Sequence, residues 1–337
     1  MNNINKYIEI CGIGNGLVDI QYEIEDNELL HLGYSKGEMR LLTIDEHKEL
    51  LSKLNGRNYY RCSGGSAANT IISYSGFGGK TAFKTVLGND EIGNFFENEF
   101  RQMSIELAST KVQHLPTGTC IILISPDSER TMLTCLGATA LFNIKHLQED
   151  LIKNAQWLYI EGYMFSEQAS TEAILKAVEL AQKHNTKIAI TFSDYFITEN
   201  FKEQIRKIAE NSDLVFCNEN EAKSFTNTTN LNKAIEILSS ITKNFCITLG
   251  SNGSVIFWDD KTYNIPAYKT KAIDSTGAGD IFAAGYLWGI IHKNDPEIAG
   301  HLASLSASYV VSQYGARLKK DHKEIRDKIL KKFQVTL

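Results

Sequence analysis

Proline is scarce, with four in a chain of 337 residues. That excludes a proline-rich linker or a polyproline recognition tract. Internal repeats and low-complexity tracts are missing too, so solenoids and tethered arrays drop out. There is no Cys-x-x-Cys pair. Cys11, Cys62, Cys120, Cys135, Cys217 and Cys246 lie scattered among apolar neighbours. They are expected to be buried reduced thiols, not a disulfide framework or a zinc site. No block of lysine or arginine stands out, and 35 basic against 40 acidic residues leave a net charge of −5. Bulk electrostatic binding to nucleic acid or to an anionic membrane is therefore disfavoured. The longest apolar run, near residues 281–291, is too short to span a bilayer, and the first residues carry no signal-peptide profile. The expectation is a cytoplasmic protein whose phosphate ligands, if any, are held by local geometry or metal ions.

What is present is a globular composition, 43% hydrophobic and 22% charged. One stretch organises the rest. Asp274-Ser275-Thr276-Gly277-Ala278-Gly279-Asp280 brackets a small-residue turn with two carboxylates and runs on into Ile281, Phe282, Tyr286 and Trp288. Their spacing predicts a helix with one apolar side. A glycine-rich turn at a helix start leaves backbone N–H groups pointing outward, which makes an anion site. A carboxylate at the edge of an anion site is out of place unless it does something else. Asp280 fits there as the base for a hydroxyl that attacks a phosphoryl group held nearby. The competing reading is a helix cap and nothing more.

Two familiar phosphate motifs fail. After the strand predicted over Tyr7–Ile13, the third glycine of a dinucleotide fingerprint falls on Leu17 or Asp19. Gly79-Lys80-Thr81 lacks the glycine that a Walker loop needs at Tyr74. What remains after the first strand is Asn15-Gly16 and then Asp19, either a sugar-hydroxyl ligand or a solvated turn residue. Gly64-Gly65 precedes small residues and a helix start, with Asn69 one turn in. This is either close backbone approach to a ligand or a tight packing turn. Residues 119–125 and 131–136 predict a hairpin about a turn at 126–129, outside the main sheet. From Trp157 onward strands and helices alternate: strands at 157–161, 187–191, 214–217 and 245–249, with helices at 171–184, 201–209 and 231–238. That rhythm predicts a mostly parallel, doubly wound sheet with ligands beyond the carboxyl ends of its strands.

Together these residues resemble the ribokinase-like (PfkB-type) family of sugar and nucleoside kinases, over nearly the whole length. Asp274–Asp280 is similar to the family's C-terminal signature Asp-Thr-Thr-Gly-Ala-Gly-Asp, with Ser275 replacing a threonine. Gly64-Gly65 with Asn69 is similar to its N-terminal signature. Asn218 with Glu221 matches its Asn-x-x-Glu element, and Thr248, Gly250 and Gly253 match its Thr-x-Gly-x-x-Gly nucleotide loop. Within the family the chain looks most like adenosine kinases, through Asn15 and Asp19 and through Pro116-Thr117-Gly118-Thr119-Cys120. Phe165 and Phe196 fall where those enzymes place aromatics around adenine.

The resemblance implies a single kinase domain over 1–337, a three-layer α/β/α sandwich with a small discontinuous β lid from about 17–43 and 117–136. It implies transfer of the γ-phosphate of ATP to a primary hydroxyl of a ribose-containing acceptor, adenosine first, with Asp280 as base and Gly277, Ala278 and Gly279 as the anion hole. Arg130 is then a clamp on the transferring phosphate, with a solvated turn residue as the rival reading. Asp19, Gly64, Gly65 and Asn69 would hold sugar hydroxyls. Cys120, Met132, Thr134, Leu136, Phe165 and Phe196 would line the acceptor, and Asn15 would stand beside it. Asn218, Thr248, Gly250, Gly253, Gly279 and Ser304 would bind ATP. Glu221 and Asn218 would hold Mg²⁺, and Asp274 a monovalent cation such as K⁺. A sugar kinase for ribose, fructose or a related sugar is the alternative. A non-catalytic nucleoside- or sugar-binding protein is a third reading, against which the intact Gly277–Asp280 argues. Both monomer and homodimer stay open.

Overall fold

The computed structural model describes residues 6–127 and 129–335. In chain order the elements begin β1 (Ile8–Ile13), β2 (Leu17–Glu23), α1 (Asp26–His31), β3 (Met39–Leu41), α2 (Ile44–Leu54), β4 (Tyr60–Gly64), α3 (Ser66–Gly76), β5 (Thr81–Gly88), α4 (Glu91–Gln102) and β6 (Glu106–Val112). They continue with β7 (Gly118–Ile124), β8 (Arg130–Cys135), α5 (Glu149–Asn154), β9 (Ala155–Glu161), α6 (Gln168–Lys183), β10 (Lys187–Thr191), α7 (Tyr195–Asn200), α8 (Lys202–Ala209) and β11 (Leu214–Asn218). The last are α9 (Glu219–Thr226), α10 (Leu231–Ile241), β12 (Phe245–Thr248), β13 (Ser254–Trp258), β14 (Lys261–Ile265), α11 (Ala278–Lys293), α12 (Pro296–Val310) and α13 (His322–Lys332). The chain forms two compact units. One takes the chain up to Gly14, then Ser66–Lys84 and everything from Asn143. The other takes Asn15–Gly65 and Thr85–Phe142.

A nine-stranded sheet runs in the order β14-β13-β12-β11-β10-β9-β1-β5-β6. From β12 through β9 and β1 to β5 the pairings are parallel, and β12–β13 and β13–β14 are antiparallel. Helices flank it, which is why its strands read as near-continuous apolar runs such as Trp157-Leu158-Tyr159-Ile160. The alternation expected from residue 157 onward is met strand by strand. One expectation needs correction. Residues 281–290 of α11 are all buried, so the helix has no single apolar side. Its glycines explain this. A Cβ on Gly285 would stand 3.0 Å from Ala303 Cα, and one on Gly289 2.4 Å from Ala299 Cα. The backbones of α11 and α12 meet with no side chain between them, and the pairs show that the helices run antiparallel. The other sides of α11 pack on α3 and β11.

The second unit carries a five-stranded sheet in the order β3-β8-β7-β2-β4. The hairpin expected at 119–136 is β7 and β8, antiparallel with Cys120 opposite Thr134. Val18, Ile20, Tyr22, Ile121, Leu123 and Leu133 are buried and make the inner face of the sheet. Asp19 lies inside β2, not in a turn. β4 contributes a strand from beyond the two segments named as the lid. All six cysteines are free and buried, as expected. Among the described residues no helix is long and apolar enough to cross a membrane.

Candidate active site

In the first unit, the parallel strands end side by side in the sheet order β9, β10, β11, β12, and each delivers a polar group at its carboxyl end. β9 ends in Glu161, fully buried, whose Oε2 accepts the Ala67 N–H at 2.6 Å. Just past β10, Asp194 caps α7 and accepts the Phe196 N–H at 2.7 Å. β11 ends in Asn218, which caps α9. Its Oδ1 accepts the Glu221 N–H at 2.9 Å, and its Nδ2 donates to Glu221 Oε1 at 2.6 Å. β12 ends in Thr248, followed by Gly250 at φ +57° and Gly253 at φ +89°. Ligands of open α/β sheets bind at this edge.

Asp280 sits in the first turn of α11. Its N-cap, Gly277, holds φ +75° and supplies no side-chain cap. The Ala278 N–H closes the turn onto the Ser275 carbonyl at 3.1 Å. The next N–H groups of the first turn have no acceptor within the helix by construction. A Cβ at Gly279 would meet nothing within 4 Å, so this turn opens on empty space.

The Asp280 carboxylate is gripped from α3. Ser66 Oγ donates to Oδ1 at 2.7 Å and Asn69 Nδ2 donates to Oδ2 at 3.0 Å. Burial pushes Asp280 up from 3.8 to about 6, and the two hydrogen bonds pull the other way. That places its proton affinity close to neutral pH, where a general base works best. Asn69 is buried, and its Oδ1 has no hydrogen-bond partner among the described residues. A buried orphan acceptor next to a base suits an incoming O–H. Tyr163 feels Asp194, Asp280, Glu161 and Glu221 together, and burial followed by these charges raises its hydroxyl far above the ordinary value. The charges of four carboxylates therefore reach one phenol.

The cation candidates divide. Burial, with Asp194 adding to it, pushes Glu221 up to about 7 while the Asn218 N–H opposes. A cation would relieve both costs, so the Asn218–Glu221 corner fits Mg²⁺. Among the described residues no group of three or more His, Cys, Asp and Glu could hold a metal unaided. Phosphate and water oxygens would have to complete the shell of any ion held there. At Asp274 the carboxylate oxygens accept the Thr276 N–H at 2.9 Å and the Gly315 N–H at 2.8 Å. Ser304 donates to the Pro266 carbonyl at 2.8 Å. Phe165 is 2% exposed and belongs to the core, whereas Phe196 is 55% exposed on α7, so the two rings have opposite settings.

In the second unit, strand register puts most of the acceptor candidates on one face. Cys62, Asp19, Cys120, Thr134 and Leu41 form one cross-strand row. Met132 lies in the next row and Arg130 in the one beyond. A Cβ on Gly64 would stand 2.7 Å from the Asp19 carboxylate, so that site requires glycine. Burial, then Asp19, pushes the Cys120 thiol up to about 12, and Arg130 opposes. Arg130 is 8% exposed, a buried strand residue and not a solvated turn. Asn15 accepts from Thr139 Oγ1 at 3.1 Å, and Leu136 leads into a single 3₁₀ turn. Gly65, at φ +100°, turns the chain toward α3.

Sequence reasoning passed over Ser66, Glu161, Tyr163 and Asp194. The signal for Asp194 was its place as an N-cap after a strand. Glu161 showed only as the polar end of an apolar strand.

A carboxylate tuned toward neutrality, at an uncapped helix start beside open space, marks an α/β enzyme that moves a proton next to an anion. The chain belongs to the pfkB family of carbohydrate kinases, whose family model matches residues 40–323. It is 25% identical over 329 residues to adenosine kinase 2 of Arabidopsis thaliana, covering 91% of this chain and 94% of that one. It is 29% identical over 265 residues to the 5-dehydro-2-deoxygluconokinase of Bacillus licheniformis, covering 75% and 82%. The solved adenosine kinase of Sinorhizobium meliloti superposes with a TM-score of 0.87 at 28% identity, covering 96% and 99%. The protein is a phosphotransferase acting on a sugar or a nucleoside.

Proposed function

We propose that the chain transfers the γ-phosphate of ATP to a primary hydroxyl of a ribose-containing acceptor, with adenosine as the first candidate and AMP and ADP as products. The observation that carries the reading is Asp280, held at both oxygens beside the open first turn of α11. Asp280 accepts the proton of the attacking hydroxyl, and Asn69 Oδ1 receives the hydroxyl as it arrives. Gly279 and its neighbours in the turn bring N–H groups to the phosphate, and Arg130 is kept as its clamp. Mg²⁺ at Glu221 and Asn218 supplies positive charge to the phosphate oxygens when bound. Thr248, Gly250 and Gly253 are the proposed nucleotide loop. Asp19 and Gly65 take ribose hydroxyls, and the Met132–Thr134 face, flanked by exposed Met39 and Leu41, offers apolar surface to a flat base.

A second reading, a sugar kinase, has its own support in the 29% identity to a 5-dehydro-2-deoxygluconokinase. A coupled ATP-consumption screen separates the two. It compares adenosine, other nucleosides, ribose, fructose and 5-dehydro-2-deoxygluconate. Adenosine should give the highest kcat/KM. A sugar in first place would move the function to the second reading, and no turnover on any acceptor would sink both. Asn69→Ala should raise the acceptor KM more than the ATP KM. An equal rise in both would make Asn69 structural.

A further inference from the structure

We infer that Ser66 is a positioning residue: its hydroxyl and the Asn69 amide, one turn apart on α3, fix the plane of the Asp280 carboxylate. The inference rests on the reading of Asp280 as the base. Ser66 Oγ holds Oδ1 at 2.7 Å and Asn69 Nδ2 holds Oδ2 at 3.0 Å. A carboxylate gripped at one oxygen can turn about its last side-chain bond. Gripped at both, it presents a fixed pair of remaining lone pairs. Both donors come from the same helix, so the plane of Asp280 is set by the seating of α3 on α11. The Thr70 hydroxyl returns to the Ser66 carbonyl at 3.2 Å and holds that first turn.

The hydrogen bonds have a second consequence. Donors to the charged form oppose the burial that raises Asp280. Removing one donor lets burial act further. The other groups around Asp280 do not replace it. Tyr159 of β9 and Tyr163 beyond it both feel Asp280, but their own hydroxyls are far too basic to ionise near neutrality. Glu161, at the end of β9, accepts the Ala67 N–H at 2.6 Å and has no proton to give in place of the Ser66 hydroxyl. The segment Ser66–Gly76 carries no ionisable group except Tyr74, which points to Glu9. On α12 the titratable residues Glu297 and His301 lie beside the far end of α11, because Gly289 meets Ala299. The loop after α12 brings Ala316 against Gly277, with Arg317 next in the chain.

The test is the pH profile of kcat for Ser66→Ala, with Ser66→Thr as rescue. Alanine is a good helix former, so α3 should persist. The acid limb should move up by about one pH unit, so that turnover at pH 6 falls roughly fivefold more than at pH 9. Both KM values should stay near wild type, and Ser66→Thr should restore the limb. An unmoved limb, with equal loss at every pH, overturns the inference, because a merely structural serine shifts no titration. Infrared titration of the carboxyl band that Asp280→Asn removes gives the same midpoint without turnover. If that midpoint follows Ser66 while Asp280→Asn still turns over, positioning stands and the base assignment falls. If Asp280→Asn is inactive and the midpoint ignores Ser66, the base stands and the positioning role falls.

Discussion

Asp280→Asn is expected to lower kcat by about 10²–10⁴-fold, the range for loss of a general base. It should leave the KM for ATP close to wild type. The same substitution should raise stability near pH 8. Asp280 has a folded-state proton affinity of about 6 against an ordinary 3.8. Between those values the folded chain keeps a proton that the unfolded chain has released, so stability falls as pH rises through this window. Above pH 6 the penalty is complete, at most about 3 kcal/mol. The neutral amide removes it. The oxygen of that amide can still accept from one donor, and Ser66 can turn its hydroxyl to accept from the amide nitrogen in return. Thermal melts of both proteins at pH 4 and pH 8 check this. The variant should gain at pH 8 and lose that gain at pH 4. Turnover near wild type would remove Asp280 from the reaction. A melt difference independent of pH would mean that folding does not raise the proton affinity of Asp280.

How much of this could be read beforehand depended on whether the signal was local. Asp274–Asp280 was legible because turn, helix start and carboxylates sit within seven residues. The strands from 157 onward were legible because buried parallel strands are short apolar runs between helices. The all-round burial of α11 was not, because it depends on Ala299 and Ala303 arriving from the next helix. β2 had a clear alternation of Val18, Ile20 and Tyr22 against Asp19 and Gln21, but the glycines at 12, 14 and 16 drew the reading to a turn. Arg130 kept a solvated-turn reading beside the clamp because only its chain neighbours were visible. The strand pairing that buries it comes from Ile124 on β7. Phe165 and Phe196 were named through the resemblance, and their burial, one core and one exposed, was not legible from it. Ser66 is the hardest case. A serine in Gly-Gly-Ser-Ala-Ala reads as small packing, and its partner Asp280 lies more than 200 residues away.

The two glycines flanking Ala278 should separate folding from chemistry. Gly277→Ala is expected to damage the fold. Gly277 holds φ +75°, and a Cβ there would stand 2.6 Å from Ala316 Cβ and 2.8 Å from the Ala316 carbonyl. Neither contact is a flexible side-chain end that can swing aside. Left-handed strain alone costs about 1–3 kcal/mol, before the clash is relieved. Gly279→Ala is expected to do the opposite. Its new Cβ meets nothing within 4 Å, and α11 gains up to about 1 kcal/mol from the better helix former. That space is where the proposed phosphate lies, so the methyl displaces the reacting atoms. A misplacement of about 1 Å can cost roughly 10²-fold in rate. The expected pair is therefore a destabilised Gly277→Ala and a stable, nearly inactive Gly279→Ala. Melting temperature and kcat measured on both variants decide it. If Gly279→Ala keeps wild-type turnover, the open side of the α11 turn is not where the phosphate is held. The anion site would then have to move toward the Thr248–Gly253 loop. The contrast needs no knowledge of the acceptor beyond its being turned over, because both residues act on the phosphate side of the reaction.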